Sequence, residues 1–336
     1  MNRPKEGLRP FALSAIAAAS IVLGGCSSAP KPPDAVFDER NKAAELAKMG
    51  DGFMTKGQYA QALQYYEDAL KSGSSVDDLE GVAASHASMG KAYFAAGETE
   101  AAEAEYRSSL DYARMAGSNG ARAIALAGLG EIAYAAGAKD DALASFEEAV
   151  ASASKAESIA TERVAKAEAD RALAVALNDA AVAKAGLGRV PEAIADLKRA
   201  EAMNLEAKRW TEVGANRYAL ASVLSGEGKT AEALAETLGA LDADKRAENA
   251  RAIPADLAAA GTLCSKAGKD AEAWDYWRRS FDSAMAADDA ASVRRALKAL
   301  VGLAPGLKED SEGKRYAALL EKLDRAEGKT KAPVSP

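Results

Sequence analysis

Small and apolar residues recur along most of the chain at helical spacing, and no window sustains the two-residue alternation of a strand. Six glycines punctuate this pattern at intervals of 40, 40, 51, 40 and 40 residues, and an alanine follows each of them five positions later. The glycines are Gly57, Gly97, Gly137, Gly188, Gly228 and Gly268, and the alanines are Ala62, Ala102, Ala142, Ala193, Ala233 and Ala273. This register predicts six pairs of helices, each joined at a glycine turn.

Two positions in every pair carry only glycine, alanine or serine, as close crossing of two helices requires. Seven residues before the turn glycine stand Gly50, Gly90, Gly130, Ala181, Ala221 and Gly261; twelve residues after it stand Ala69, Ser109, Ala149, Ala200, Ala240 and Ser280. Nine residues after the glycine lies what we call the knob position, filled by Tyr66, Tyr106, Phe146, Leu197, Thr237 and Trp277. Thr237 is the one residue at this position that is not large, so we expect the fifth pair of helices to be the least stable.

Residues 46–70 carry the pattern most completely and resemble a tetratricopeptide repeat (TPR). The resemblance implies an all-α fold, a right-handed superhelix (α-solenoid) of about six helical hairpins followed by C-terminal capping helices. The repeats would span 43–76, 83–116, 123–156, 174–207, 214–247 and 254–287 within a solenoid of residues 38–327. An interval of 40 residues, where the commonest repeats have about 34, predicts longer helices or longer connections.

The interval between the third and fourth repeats contains 11 additional residues, equal to almost three helical turns. No glycine or proline lies between Ala156 and Gly186, and Glu162 and Lys166 are spaced as a favourable helical ion pair. We therefore expect a protruding helical extension of about 16 Å. It is either a binding feature or a neutral insertion.

The N-terminus has a basic start, an apolar run from Phe11 to Leu23, and Cys26. The run has the length of a signal-peptide core and is short for a bilayer span. Residues 23–26, Leu-Gly-Gly-Cys, resemble the bacterial lipobox, which implies removal of a lipoprotein signal peptide (1–25) and lipidation of Cys26. The protein would then be anchored in the outer membrane and face the periplasm. An ordinary signal peptide, or an uncleaved anchor, is the alternative.

Both flanks of the predicted solenoid have distinct compositions. The proline-rich stretch 26–37 is typical of an extended tether. At the other end, 291–327 would form the cap: one helix over 292–303, stopped by Pro305, and an amphipathic helix over 314–326. Residues 328–336 are expected to be a disordered tail.

Charge and side-chain chemistry argue against several functional classes. The net charge of −7 becomes −9 without residues 1–25, whose three basic and one acidic side chains contribute +2, so nucleic acid is an improbable partner. His86 is the sole histidine and is interpreted as a core residue. We expect no metal, cofactor or catalytic site, because no cluster of histidine, cysteine and carboxylate is present. Cys264 should be a buried free thiol.

The resemblance implies a scaffold that binds partner proteins in cell-envelope assembly, such as pilus or secretin, outer-membrane, polysaccharide-export or cell-wall machinery. In TPR arrays the first helix of each hairpin lines a concave groove, which suits an internal peptide or a helix. The predicted groove residues are Met54, Phe94, Tyr134, Asp51, Lys91 and Glu131. The side chains of Met54, Phe94 and Tyr134 could instead pack on the tether or on neighbouring helices. A receptor for a small ligand or glycan is the alternative function.

Overall fold

The computed structural model describes residues 33–330, which form 14 helices and no strand. Consecutive helices pair into seven hairpins, because each is joined to the next by only a few residues and packs against it. The helices are α1 (Pro33–Met54), α2 (Tyr59–Ser75), α3 (Leu79–Ala96), α4 (Thr99–Ala116), α5 (Asn119–Ala135), α6 (Lys139–Ile159), α7 (Arg163–Gly186), α8 (Val190–Glu206), α9 (Trp210–Gly226), α10 (Thr230–Arg246), α11 (Ile253–Lys266), α12 (Asp270–Ala286), α13 (Ala290–Leu307) and α14 (Asp310–Thr330).

The hairpins stack into two layers. Odd-numbered helices pack on the next odd-numbered helix, except that the backbones of α9 and α11 do not approach as closely. Even-numbered helices make no such contacts with one another. The odd-numbered helices therefore form the tighter, concave layer, and the even-numbered helices form the outer layer.

All six predicted turn glycines adopt the left-handed backbone conformation, with φ between 70° and 84°. Glycine suits this region because it has no Cβ to clash with the following carbonyl. In the seventh hairpin Lys308 takes the same place with φ 61°. The helices of the second hairpin are 18 residues each, which confirms that the 40-residue interval reflects longer helices.

The predicted contacts between paired helices are confirmed. Every knob residue is buried, with exposed fractions between 0% and 7%. A Cβ added at Gly50 would lie 2.5 Å from the Tyr66 ring, and one at Gly130 would lie 2.6 Å from the Phe146 ring. The small residue on the inner helix thus makes room for the knob on the outer helix.

The insertion between the third and fourth repeats does extend the helices, but it is divided between two of them and is not one continuous extension of about 16 Å. Instead α6 ends at Ile159, Ala160 has extended backbone (φ −71°, ψ 116°), and α7 starts at Arg163. Lys166 pairs with Glu157 (3.1 Å) and Asp170 (3.4 Å) rather than with the predicted Glu162. The extra residues lengthen α6 to 21 and α7 to 24 residues.

The termini also differ from expectation. The first helix begins at Pro33, inside the predicted tether, since proline is tolerated in the first turn of a helix. The cap is a true seventh hairpin: α13 passes Pro305 and ends at Leu307, and α14 continues to Thr330, inside the predicted tail. Cys26, the signal peptide and the rest of the tether lie outside the described residues.

Candidate functional site in the concave groove

Met54, Phe94 and Tyr134 occupy equivalent places near the ends of α1, α3 and α5. All three are half-buried. Met54 packs on the cluster around Tyr66, Phe94 on the cluster around Tyr106, and Tyr134 on the cluster around Phe146. Each therefore contributes to its own hairpin, and a role in partner binding stays a prediction.

The three charged groove residues are exposed and have different surroundings. Asp51 accepts a hydrogen bond of 2.7 Å from the Tyr66 hydroxyl, so the tip of this knob reaches the groove. Desolvation raises the pKa of Glu131, and the charge of Lys91 partly opposes the shift. On α7, desolvation and the charge of Glu131 raise the pKa of Asp179 to about 7. The first half of the groove thus holds two acidic groups whose pKa values are raised, and Asp179 is the one whose protonation changes near neutral pH.

Three exposed apolar side chains of the inner layer were missed at the sequence level: Ile124 on α5, Val175 on α7 and Tyr218 on α9, exposed by 50%, 42% and 40%. We call them the groove stripe. Ile124 and Val175 both lie 13 residues before a turn glycine, so they are equivalent positions. The repeat frame would have found them had it been applied to the beginnings of the inner helices as well as to their ends.

Beside Ile124 lies an open cavity of about 590 Å³. Its walls come from the starts of α3 and α5, the turn after α4, and the lengthened ends of α6 and α7. Alanines make up half of its lining; Ile124 and Ile159 add larger apolar side chains, and Glu80 and Glu168 add carboxylates. The extra residues between the third and fourth repeats thus enlarge the groove wall.

A ladder of amides joins three helices next to the groove. Asn204 on α8 donates to Asn216 on α9 at 2.8 Å, and Asn216 donates to Asn178 on α7 at 3.0 Å. Asn204 and Asn216 are almost completely buried, with exposed fractions of 1% and 3%. Because unpaired buried amides are costly, this ladder fixes how the fourth hairpin sits on the fifth.

Two carboxyl groups meet in the interior where α10 joins α11. Asp244 and Asp256 are buried near each other, and the Asn249 amide donates to Asp244 at 2.7 Å. Desolvation and the neighbouring Asp244 raise the pKa of Asp256 to about 8. A Cβ at Gly214 would lie 2.5 Å from the Asp244 carboxylate, so glycine makes room for the pair.

His86 and Cys264, the other two residues considered for chemistry, both lie within the packing of the helices. His86 lies between α3 and α4, where its Nδ1 is 2.7 Å from Glu105 and its ring stacks on Tyr112, so it is a polar link and not a plain core residue. Cys264 is fully buried, as predicted, and burial raises the pKa of its thiol. Within residues 33–330 no cluster of three or more metal-ligating side chains occurs, and none of the helices there has the length and apolarity to cross a membrane.

Comparison with known proteins agrees with this architecture. The tetratricopeptide repeat family model matches residues 42–115, and no curated protein matches the chain. A Rap protein in complex with competence and sporulation factor is 14% identical, with a TM-score of 0.59 over 86% of this chain and 77% of that one. Aspartyl phosphate phosphatase F from Bacillus subtilis is 15% identical, with a TM-score of 0.57 over 86% and 72%.

A third structure similar to this chain is a signal transduction ATPase with numerous domains, which carries a tetratricopeptide repeat sensor and comes from Pyrococcus horikoshii. It is 11% identical, with a TM-score of 0.62, and the alignment covers 85% of this chain but only 42% of the ATPase. At these identities the likeness concerns the fold alone. The fold is an all-α TPR superhelix.

Proposed function

We propose that the protein is a lipid-anchored scaffold that binds partner proteins in its concave groove during cell-envelope assembly. The observation that carries the proposal is the groove stripe: large apolar side chains on α5, α7 and α9 stay exposed, in a stack that buries all six of its knob residues. Exposed apolar side chains beside polar ones are typical of protein-binding surfaces. The Rap relative, whose structure was determined with competence and sporulation factor, is a precedent for a bound factor on this fold.

The membrane part of the proposal rests on the lipobox resemblance at Cys26. Acyl chains on that residue would attach the protein stably to the outer membrane, because more than one chain is needed for lasting attachment and lipoproteins of this type carry several. The solenoid would then face the periplasm.

The anchor is tested by expressing wild type and Cys26→Ala in a bacterial host, followed by membrane fractionation and intact mass spectrometry. We expect wild type in the outer-membrane fraction with acyl chains on a mature N-terminus at Cys26, and no acylation of the variant. A mature wild-type N-terminus elsewhere, without lipid, would refute the anchor and leave the groove proposal untouched.

The groove is tested by photo-crosslinking in cells, with the combined variant Ile124→Glu and Val175→Glu. We expect the crosslinked partner band to be lost, because a carboxylate cannot replace a buried apolar contact. The matched control is Met115→Glu, which alters a 67% exposed apolar residue on the outer helix α4. Equal crosslinking by the groove variant and the control would refute the groove as the partner site.

A second candidate function, a receptor for a small molecule or glycan, is favoured by the cavity of about 590 Å³ beside Ile124. Small-molecule pockets have volumes of roughly 300–1,000 Å³. Native mass spectrometry of protein purified from its cellular source tests this function. A bound mass of a few hundred daltons would support it, and uniformly unliganded protein would count against it.

A further inference from the structure

The fifth hairpin lacks the large knob that the other five repeats possess. In those repeats the side chain at the knob position is Tyr66, Tyr106, Phe146, Leu197 or Trp277, and each is buried. In the fifth, Thr237 takes that place, and its hydroxyl donates within its own helix to the Ala233 carbonyl at 2.9 Å. Threonine therefore leaves a volume that an aromatic ring occupies elsewhere in the stack.

The second hairpin shows where that volume lies. The Tyr106 ring sits on Gly90 of its own inner helix, α3, and on Gly128 of the next inner helix, α5. The residues equivalent to Gly90 and Gly128 in the fifth hairpin are Ala221 on α9 and Ala259 on α11. An aromatic knob at 237 would fill the space between these two alanines.

That space is an open cavity of about 230 Å³. Thr237 lies at its closed end, and Ala221 and Ala259 line it from opposite sides. The backbones of α9 and α11 approach each other less closely than those of the other neighbouring inner helices, although Leu263 of α11 packs in one cluster with Leu220 and Leu224 of α9. The cavity is therefore a vacancy in a repeating packing scheme.

The cavity opens to the groove through a partly polar rim. Tyr218 of the groove stripe lies at the rim with Ser222, Ser225 and Thr262. Lys266 on α11 reaches across and donates to the Ser225 hydroxyl at 2.9 Å. Tyr66 occupies the equivalent space in the first hairpin, and its hydroxyl reaches Asp51 in the groove. A ring in this kind of space therefore contacts groove residues.

The size of the cavity indicates what fits. It is smaller than the roughly 300–1,000 Å³ of pockets for whole small molecules, yet larger than an apolar cavity of about 150 Å³ that holds benzene. One aromatic side chain matches both limits. Four of the five occupied knob positions carry an aromatic ring, which points to the same kind of group.

We infer that the groove binds its partner by accepting one aromatic side chain of a peptide segment into the vacancy between Ala221, Thr237 and Ala259, where the partner supplies the knob that the fifth repeat lacks. This inference rests on the proposed scaffold function and names the anchoring contact. Aromatic anchors in fitted pockets commonly dominate binding energy in protein interfaces.

The test uses N-acetyl-phenylalaninamide as the probe and N-acetyl-alaninamide as its matched control, with methyl and amide NMR shifts recorded on the purified solenoid. We expect saturable shifts at Ala259, Thr262 and Leu263 with the phenylalanine derivative only. Thr237→Phe and Ala259→Leu, which fill the cavity from opposite walls, should abolish them. Thr237→Val, which keeps the volume, should retain them. If Thr237→Phe does not fold, Ala259→Leu carries the comparison.

Several outcomes would overturn the inference: no saturable shifts, equal shifts with the alanine derivative, or shifts that persist in the filled variants. Partner crosslinking distinguishes a failure of this inference from a failure of the scaffold proposal. Crosslinking that survives Ala259→Leu but is lost in the Ile124→Glu and Val175→Glu variant refutes the aromatic anchor and supports the scaffold. Saturable probe binding with crosslinking unaffected by the groove variant supports the pocket and refutes the groove stripe as the partner site.

Discussion

At the scale of single residues, glycine serves two different purposes in this protein. At the turns it supplies a left-handed backbone, whereas at Gly50, Gly90, Gly130 and Gly261 it makes room for an aromatic ring inside a helix. In the second role the usual preference of helices for alanine over glycine is reversed, because the packed ring leaves no space for the methyl group of alanine.

This reversal gives a paired prediction. Gly130→Ala places a Cβ 2.6 Å from the Phe146 ring, so it should destabilise the protein by about 1–3 kcal/mol. Gly52→Ala, on the exposed side of α1 with no heavy atom within 4 Å, should stabilise it by up to about 1 kcal/mol. Thermal unfolding followed by circular dichroism at 222 nm measures both. Shifts of the same sign in both variants would contradict the packing explanation.

The buried Asp244 and Asp256 pair gives a pH prediction. Burial raises the pKa of Asp256 to about 8, far above its value in the unfolded chain, so the folded state retains a proton that the unfolded state has released. The stability from this proton is fully present below about pH 4 and is lost as pH rises to about 8. Asp256→Asn should weaken that decline and raise the melting temperature at pH 8.

The control for this variant is Asp242→Asn, an exposed position on α10, the helix that carries Asp244; this aspartate pairs with Arg246 at 2.9 Å. We expect that substitution to leave the fall in melting temperature between pH 5 and pH 8 unchanged. An Asp256→Asn protein with the wild-type pH dependence would show that the two carboxyls do not share a proton.

At the scale of elements, the lengthened α6 and α7 add to the stack without being needed for it. The buried residues Leu173 and Leu177 lie in the part of α7 that corresponds to the other inner helices. The added turns contribute mainly to the wall of the larger cavity, through Ile159, Ala160 and Ala165.

Deleting residues 158–168 and substituting Glu157→Gly would restore a 40-residue interval and place glycine where Gly117 ends the previous outer helix. We expect a folded solenoid with unchanged helicity per residue, because each hairpin contacts only its neighbours. Circular dichroism and size-exclusion chromatography check this outcome. Loss of cooperative unfolding would show that the added turns support the stack. A deletion without Glu157→Gly is the control for the turn.

These elements also show what could and could not be read from the sequence. Gly130 and Phe146 recur at fixed spacing because the contact between paired helices is local, so the hairpins were predictable. The turn at Ala160 was not, because no glycine or proline marks it and extended backbone is open to alanine. The meeting of Asp244 with Asp256 depends on how successive hairpins lie against one another, which spacing alone does not specify.

At the scale of the whole molecule, the stack is closed at its C-terminal end by α13 and α14. The last core cluster joins Trp274 and Trp277 of α12 to Leu297 and Leu300 of α13 and to Tyr316 of α14. The rings of Trp274 and Phe281 each form a T-shaped contact with Tyr316. A polar-faced final hairpin of this kind covers apolar surface that would otherwise be exposed.

Truncation after residue 289 removes this cap and uncovers the α12 tryptophans. We expect the truncated protein to self-associate, because a contiguous exposed apolar patch favours association. Light scattering coupled to size-exclusion chromatography measures its mass. The control is full-length Arg315→Ala, which alters the exposed surface of the cap alone. A monomeric truncated protein with the wild-type melting temperature would refute a capping role.

The seam between α9 and α11 has a mechanical consequence. A stack of hairpins behaves as an elastic rod, and its bending stiffness at each joint depends on how firmly adjacent inner helices press together. Among neighbouring inner helices the backbones of α9 and α11 approach least closely, so we expect the joint beside Thr237 to bend most readily. A partner side chain inserted there would stiffen the joint and set its angle. The curvature of the whole stack would then depend on the bound partner.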